Sequence, residues 1–493
     1  MINALLWLPL AVGFVGFFLP KRLVGWWATA GAVATLAIGV IMAFGFDNGV
    51  AGLQDTVNTT WISGLGVNYS LGIDGLNLFL VLLTALLWVG GIAFAAFREQ
   101  ERPQLFFFLM LAAETATLGS FLSQDLLLFV LFFDLMLVPF YFLVGQWGGP
   151  DRVAATFKLV VYTLVGSLLM LAAAVATGVL APGAEVTFSI QRLAAEQLGD
   201  GPQRWIFVAF ALAFLIKMPA FPFHGWMPDG YRNMPLPVLA VFSAVLSKVA
   251  AYGFLRIVLP IFPDATQDFQ LIMLLLALAS VLYGSAQAFT QTNARLILGY
   301  SSMAQLGFIT LGIFALGEAA GAQGALLQMV QHGLVVAPLF FIIALLHERT
   351  GSDDIRDMGG VAFRAPVLST LFLIVALATL AMPGSANFAG EFLILLGLFN
   401  AKLVIAIIAF TGVAMASVYM LRMFIRAMHN RVGEKTRSFD LSLADGLVLV
   451  PLVAVIIAFA VYPQQALDSS QASVERVVGA AAPESVAQRE VTP

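Results

Sequence analysis

Apolar runs of about 20 residues, long enough to cross a hydrocarbon layer of roughly 30 Å as a helix, follow one another along almost the whole chain. Short polar or Gly/Pro-rich turns separate them. The pattern predicts about fourteen spans, at 2–19, 24–45, 73–97, 104–122, 125–146, 155–181, 204–223, 234–259, 267–289, 294–316, 320–346, 365–400, 402–426 and 441–462. Two of them are interrupted. The seventh carries Pro219 and Pro222 just after Lys217, and the twelfth carries Pro383-Gly384 ahead of Glu391. Proline removes a backbone donor and breaks a helix. Broken backbone at membrane depth persists only inside protein or beside a water-filled cavity. The first run, MINALLWLPLAVGFVGFFLP, has no basic residue ahead of it and no small-residue cleavage site before Lys21, which predicts a retained span. From Pro463 onward the chain is polar and rich in Ala, Ser, Gln and Glu, which reads as a disordered tail.

The two breaks define a repeat. Span 7 is the fourth member of the set 4–8, and span 12 is the fourth member of the set 9–13. Five is odd, so the second set starts on the opposite side of the membrane, the inverted arrangement of transporters whose ion sites sit at broken helices. The expected fold is an all-α polytopic membrane protein with two inverted five-helix repeats. Its expected units are residues 1–103 (helices 1–3), 104–260 (first repeat), 261–430 (second repeat) and 431–493 (helix 14 and polar tail).

Composition agrees with this class. Of 493 residues, 60% are hydrophobic and 11% charged, against about 25% charged in soluble domains. The net charge of −4 is spread through loops, which suggests no nucleic-acid surface. There are no cysteines, so disulfides, cysteine-ligated iron–sulfur clusters and thiol catalysis are excluded. With the N-terminus outside, the inner loops hold Lys21, Arg22, Arg98, Arg102, Arg152, Arg232, Arg295, Arg349, Arg356, Arg364, Arg431, Lys435 and Arg437. Outside remain Arg192, Arg204, Lys402, Arg476 and Arg489. That bias predicts both termini on the outer side of a bacterial inner membrane.

Four ionisable side chains fall inside the spans: Asp134, Lys217, Lys248 and Glu391. An unpaired charge there costs roughly 3 kcal/mol or more, so pairing or ion movement is the expected role. Asp134 and Lys217 read as an ion pair whose opening and closing sets how tightly the lysine holds a proton, or else as a static structural pair. Lys248 has no acid within one turn and reads as an intermediate proton carrier; the alternative, a snorkelling lysine, conflicts with its distance from either span end. His332, flanked by Gln328 and Gln331, can pass a proton between Lys248 and Glu391, or be a hydrogen-bonded core histidine. Glu391 would be the terminal carrier. Two secondary residues complete the set. Glu114 lies as far before the turn near Gln124 as Asp134 lies after it, so both acids sit at a similar depth; it would tune Asp134 or simply bond Thr115 or Thr117. His224, just past the first break, would face the entry path. His347 and His429 lie at inner helix ends and read as solvated.

These stretches also carry a resemblance. DLMLVPFYFLVGQWGG (134–149), IKMPAFPFHGWMPDGY (216–231), YSSMAQLGF (300–308), HERTGSDDI (347–355) and PGSANFAGEFLILLG (383–397) together resemble the antiporter-like subunits of respiratory complex I, the M type above all, over nearly the whole chain. Glu391 stands where the L and N types and the Mrp antiporter relatives usually place lysine, and no room is left for the long lateral helix of the L type. One departure is Asp134, where the family usually has glutamate. The resemblance implies a proton-translocating membrane-arm subunit of an NADH:quinone oxidoreductase, with Asp134, Lys217, Lys248, His332 and Glu391 as the proton chain. It also implies L- and N-type and small membrane subunits as partners. No cofactor is implied on this chain, since GxGxxG and GxxxxGK[ST] are absent. NADH, flavin, iron–sulfur clusters and quinone are expected on partner subunits. The alternatives are a component of a Mrp-type cation/proton antiporter or of a membrane-bound hydrogenase, and a scaffold with inert charges.

Overall fold

A computed structural model describes residues 1–183, 185–433, 436–437 and 439–481. Lys435 and Arg489, counted above for orientation, lie outside the described residues. Each of the fourteen apolar runs is helical. Eleven helices are long and apolar enough to cross a membrane: Lys21–Phe44, Leu78–Ala96, Pro103–Leu122, Leu126–Trp147, Arg152–Leu180, Leu236–Ile261, Pro263–Thr290, Ala294–Ile313, Ala319–Thr350, Leu403–Met428 and Leu443–Val461. Ile2–Gly16, Asp200–Lys217 and the pair Pro366–Thr379 and Ala386–Ala401 account for the other three runs.

Both expected breaks are present. The seventh span stops at Lys217, passes through Met218–Pro222, and resumes as a 3-10 turn at Phe223–Trp226 and a helix at Met227–Asn233. Proline at 219 disfavours helical backbone at Met218 and at 219 itself offers no N–H. The freed groups are satisfied inside the protein: Trp226 Nε1 donates to the Ile216 carbonyl at 2.9 Å, and Phe221 N donates to Ser280 Oγ at 2.9 Å. The twelfth span stops at Thr379 and restarts at Ala386, turning through Gly384 at φ 85°. The eighth span is also irregular, which its apolar pattern does not disclose. Two π-helical turns, Phe242–Leu246 and Phe254–Val258, flank the segment Ser247–Gly253 that carries Lys248.

Helices in lipid associate through close packing more than through the hydrophobic effect. Ala319–Thr350 and Ala386–Ala401 meet at glycines: a Cβ on Gly397 would lie 2.5 Å from Gly321 N, and one on Gly324 would lie 2.7 Å from Ile394 N. The helices Leu236–Ile261, Ala294–Ile313 and Ala319–Thr350 are fully buried over their apolar stretches, whereas Lys21–Phe44 and Leu443–Val461 lie at the periphery. The ionisable residues of spans 8 and 11 therefore sit in the innermost layer.

Two further elements were not expected. Gln54–Ile62 and Val67–Ile73 form an antiparallel hairpin, with Val57 opposite Leu71 and Thr60 opposite Asn68. Asp125, which caps the helix beginning at Leu126, also accepts from Asn68 N at 3.0 Å and so ties the hairpin to the bundle. The sequence after Pro463, read as disordered, is a helix over Gln464–Ala481. Its polar composition conceals a packing stripe: Ala466, Ser470, Ser473, Val474, Val477, Val478 and Ala481 are buried at the three- and four-residue spacing of one helix face. Residues 482–493 lie outside the described residues.

Candidate functional site

Lys217 is the last residue of its helix and is buried. Its ammonium donates to the Phe133 carbonyl at 3.2 Å and lies 4.4 Å above the Phe133 ring centroid. The aromatic ring and carbonyl together offer partial negative charge to the buried cation. Asp134 is half-buried on the neighbouring span. Among the described residues it forms no ion pair within 4.0 Å; its Oδ1 has no hydrogen-bond partner, and Ser167 and Lys217 are the groups that act on its carboxyl. The pair is held open in this structure.

Lys248 is fully buried, and its ammonium donates to the Ser243 carbonyl at 2.9 Å. That carbonyl belongs to the first π turn, where the wider winding re-aims backbone oxygens out of the regular α pattern. His332 is buried on Ala319–Thr350, near enough for the Lys248 charge to act on it. Neither ring nitrogen has a hydrogen-bond partner among the described residues.

Glu391 is buried on the second half of the broken twelfth span. Its Oε1 accepts from Gln305 Nε2 at 2.8 Å and from Gln328 Nε2 at 3.4 Å, and Gln328 Nε2 also donates to Gln305 Oε1 at 2.8 Å. Gln331, next to His332, accepts from Gly390 N at 3.3 Å. Glycine at 390 lets the two helices approach closely, since a Cβ would fall 2.5 Å from Gln328 Oε1 and the amides would have to shift. An amide network thus joins the Glu391 end of the second break to the helix carrying His332. Gln305 lies in the YSSMAQLGF stretch; an amide on an otherwise apolar helix was the available signal, and it was missed. Tyr419, which shares a 2.9 Å hydrogen bond with Ser301, is also within electrostatic reach of Glu391.

Glu114 is fully buried, and among the described residues neither carboxyl oxygen has a hydrogen-bond partner. It does not bond Thr115 or Thr117: the Thr117 hydroxyl donates to the Ala113 carbonyl, and Thr115 Oγ1 is unpartnered. His224 is half-buried between Phe221 and Tyr283, its ring centroid 4.9 Å from that of Tyr283, with Nδ1 unpartnered. His347 is not simply solvated. It meets Asp353 at 2.9 Å, and Asp353 also holds Arg295 at 2.8 Å. His429 is exposed, as expected.

A buried ion pair was overlooked in the sequence. Asp74, after the hairpin, accepts from Arg256 Nη1 at 2.7 Å and Nη2 at 2.5 Å; Arg256 Nε donates to Tyr252 Oη at 2.7 Å. Arg256 sits on the second π turn, two helical turns beyond Lys248. The C-terminal helix joins the same cluster, with Arg476 3.6 Å from Asp74 and Ser473 Oγ accepting from Gly75 N.

Among known proteins, the family described as NADH:quinone oxidoreductase/Mrp antiporter, transmembrane, matches residues 123–416. NADH-quinone oxidoreductase subunit M of Rhodobacter capsulatus is 33% identical over 464 residues, 92% of this chain and 90% of that protein. Its counterpart in Escherichia coli (strain K12) is 36% identical over 446 residues, 87% of this chain and 86% of that protein. A chain of respiratory complex I from Thermus thermophilus with bound NADH superposes with a TM-score of 0.91 at 30% identity, covering 98% of this chain and all of that one. A chain of the Mrp complex from Dietzia sp. DQ12-45-1b, at 20% identity and a TM-score of 0.83, shares the fold over 98% of this chain and 99% of its own.

Proposed function

The chain belongs to the NADH:quinone oxidoreductase/Mrp antiporter transmembrane family, among the M subunits of NADH-quinone oxidoreductase, and from that premise we propose that it carries protons across the membrane as one subunit of such a complex. The observation that carries this reading is the set of buried, proton-exchanging side chains Lys217, Lys248, His332 and Glu391, two of them at helix breaks and one between π turns. Nothing in that set forms a closed structural salt bridge among the described residues.

In this reading Asp134 and Lys217 form the gate. When the carboxylate closes on the ammonium, the lysine keeps its proton; when it withdraws, the lysine can hand its proton on. The proton passes to Lys248, whose single carbonyl partner leaves its remaining donor directions free. His332, with both nitrogens unengaged, takes it from one side and delivers it to the other. Glu391, oriented by hydrogen bonds from the Gln305 and Gln328 amides, receives it through water and releases it at the far end. Glu114 tunes the Asp134 end, and His224 faces the entry path. Water completes the gaps, as buried polar groups of this kind require.

The four sequence units, 1–103, 104–260, 261–430 and 431–493, are the proposed functional divisions, the two middle ones each holding a half-channel. The proposed placement is a bacterial inner membrane with both termini outside. The electron-transfer groups, NADH, flavin, iron–sulfur clusters and quinone, belong to partner subunits, and the neighbours are L- and N-type and small membrane subunits. The shared fold with the Mrp chain keeps a cation/proton antiporter as the competing reading. Glutamate at 391, where the Mrp relatives usually place lysine, favours the M-type role. Lys248→Met in the assembled complex tests the proposal: NADH-driven proton uptake into proteoliposomes is expected to collapse, and unchanged uptake at equal assembly would overturn it.

A further inference from the structure

The basic side of the bundle carries a cleft of about 600 Å³ that has no part in the proton chain. Its lining brings together Lys21 and Arg22 at the start of Lys21–Phe44, and Arg98, Glu99, Glu101 and Arg102 between Leu78–Ala96 and Pro103–Leu122. Arg98 is already committed, to Glu348 and Asp445, both at 2.8 Å. Lys21, Arg22, Arg102, Glu99 and Glu101 have no ion-pair partner within 4.0 Å among the described residues. Opposite charges gathered in one cleft yet unpaired with each other leave room for a ligand carrying both signs.

We propose that this cleft binds the headgroup of an aminophospholipid, its phosphate held by Lys21, Arg22 and Arg102 and its ammonium by Glu99 and Glu101. Phosphate is the group that guanidinium and ammonium donors recognise best, and basic pockets between spanning helices are suited to lipid headgroups. The carboxylates accept the three N–H donors of a primary ammonium, which a quaternary one lacks, and they repel a headgroup bearing only negative charge. Trp26 lines the same cleft, is half exposed and packs edge-on against Phe97 at 5.0 Å, as interfacial aromatics do at headgroup depth. Further along the helix, exposed Val33 and Val40 lie on the same face as Trp26 and offer an apolar surface for acyl chains. Two helix N-termini without side-chain caps, at Lys21 and Pro103, open onto the same space and add favourable dipoles.

The test uses the full chain in its assembled complex, delipidated in detergent and titrated with phosphatidylethanolamine, phosphatidylglycerol or phosphatidylcholine of matched acyl chains, with binding read by native mass spectrometry. The expected order is phosphatidylethanolamine tightest. Lys21→Gln/Arg22→Gln/Arg102→Gln should weaken its binding by about tenfold or more, and Glu99→Gln/Glu101→Gln should shift preference toward phosphatidylglycerol. Inorganic phosphate at millimolar concentration should fail to displace the lipid; full displacement would assign the site to free phosphate and overturn the lipid reading. Unchanged affinity in the triple variant, or phosphatidylglycerol tightest in the wild type, would overturn it as well. Should the triple variant not assemble, Arg102→Gln alone gives the same comparison.

Discussion

Lys217 donates to the Phe133 carbonyl, one residue short of the acid it is expected to pair with, and its ammonium lies over the Phe133 ring. The lysine is thereby held beside Asp134 without being neutralised by it. Lys217→Ala should remove the proton site while relieving a buried charge, so the protein should assemble while pumping falls by about tenfold or more. Proton uptake into proteoliposomes at matched assembly measures this, and near-normal uptake would exclude Lys217 from the path.

Asp134 is one methylene shorter than the residue usual in its family, yet its carboxyl has no competing partner at Oδ1. If charge is what matters, Asp134→Glu keeps most pumping, whereas Asp134→Asn, nearly equal in size, loses most of it. Equal rates for the two variants would show that the charge is not used.

Glu391 receives hydrogen bonds from two glutamines, and glutamine at 391 would keep an acceptor for them while removing titration. Glu391→Gln should therefore cut NADH-driven pumping about tenfold or more without loss of assembly, with Glu391→Asp intermediate. Gln305→Leu, which removes the 2.8 Å donor and leaves the carboxyl titratable, should cost less. Wild-type pumping by the Gln variant would remove Glu391 from the pathway.

The Asp74–Arg256 pair is buried on both sides, so removing one partner strands the other charge. Asp74→Ala should destabilise the protein by about 3–5 kcal/mol, seen as an earlier thermal transition in detergent. Asp74→Ala/Arg256→Leu should recover part of it, because an apolar pair carries no desolvation penalty. A double variant less stable than Asp74→Ala alone would contradict this account.

Asp440, in the loop before the last spanning helix, accepts from Val367 N at 3.0 Å, Leu368 N at 3.1 Å and Leu441 N at 2.7 Å. Burial pushes its carboxyl up, but these backbone donors and Arg349 outweigh that and hold it below its ordinary value. A folded-state value below the unfolded one means that the stabilisation is full above about pH 4 and is lost as pH falls through the folded value. Thermal stability of the wild type should drop on acidification from about pH 5 to about pH 3 more steeply than that of Asp440→Asn. Parallel slopes would rule the carboxylate out as a contributor.

The sequence by itself determined the fourteen spans, because a lipid-crossing helix must be apolar for its whole length and that requirement is written locally, residue by residue. It determined both breaks for the same reason, since Pro219, Pro222 and Pro383 act through their own backbone. It also exposed Asp134, Lys217, Lys248, His332 and Glu391, whose charge or polarity is conspicuous against apolar neighbours. Only the tertiary structure decided what those side chains touch. Lys217 meets a carbonyl and a ring instead of Asp134, and Gln305 reaches Glu391 from another helix, because partners across a bundle are set by helix rotation and close packing, which no local pattern encodes. The π turns around Lys248 have no proline to announce them. The helix over Gln464–Ala481 was obscured because its buried stripe is built from serine, alanine and valine, and packing against Ala319–Thr350 and Pro263–Thr290 gives that weak pattern its structure.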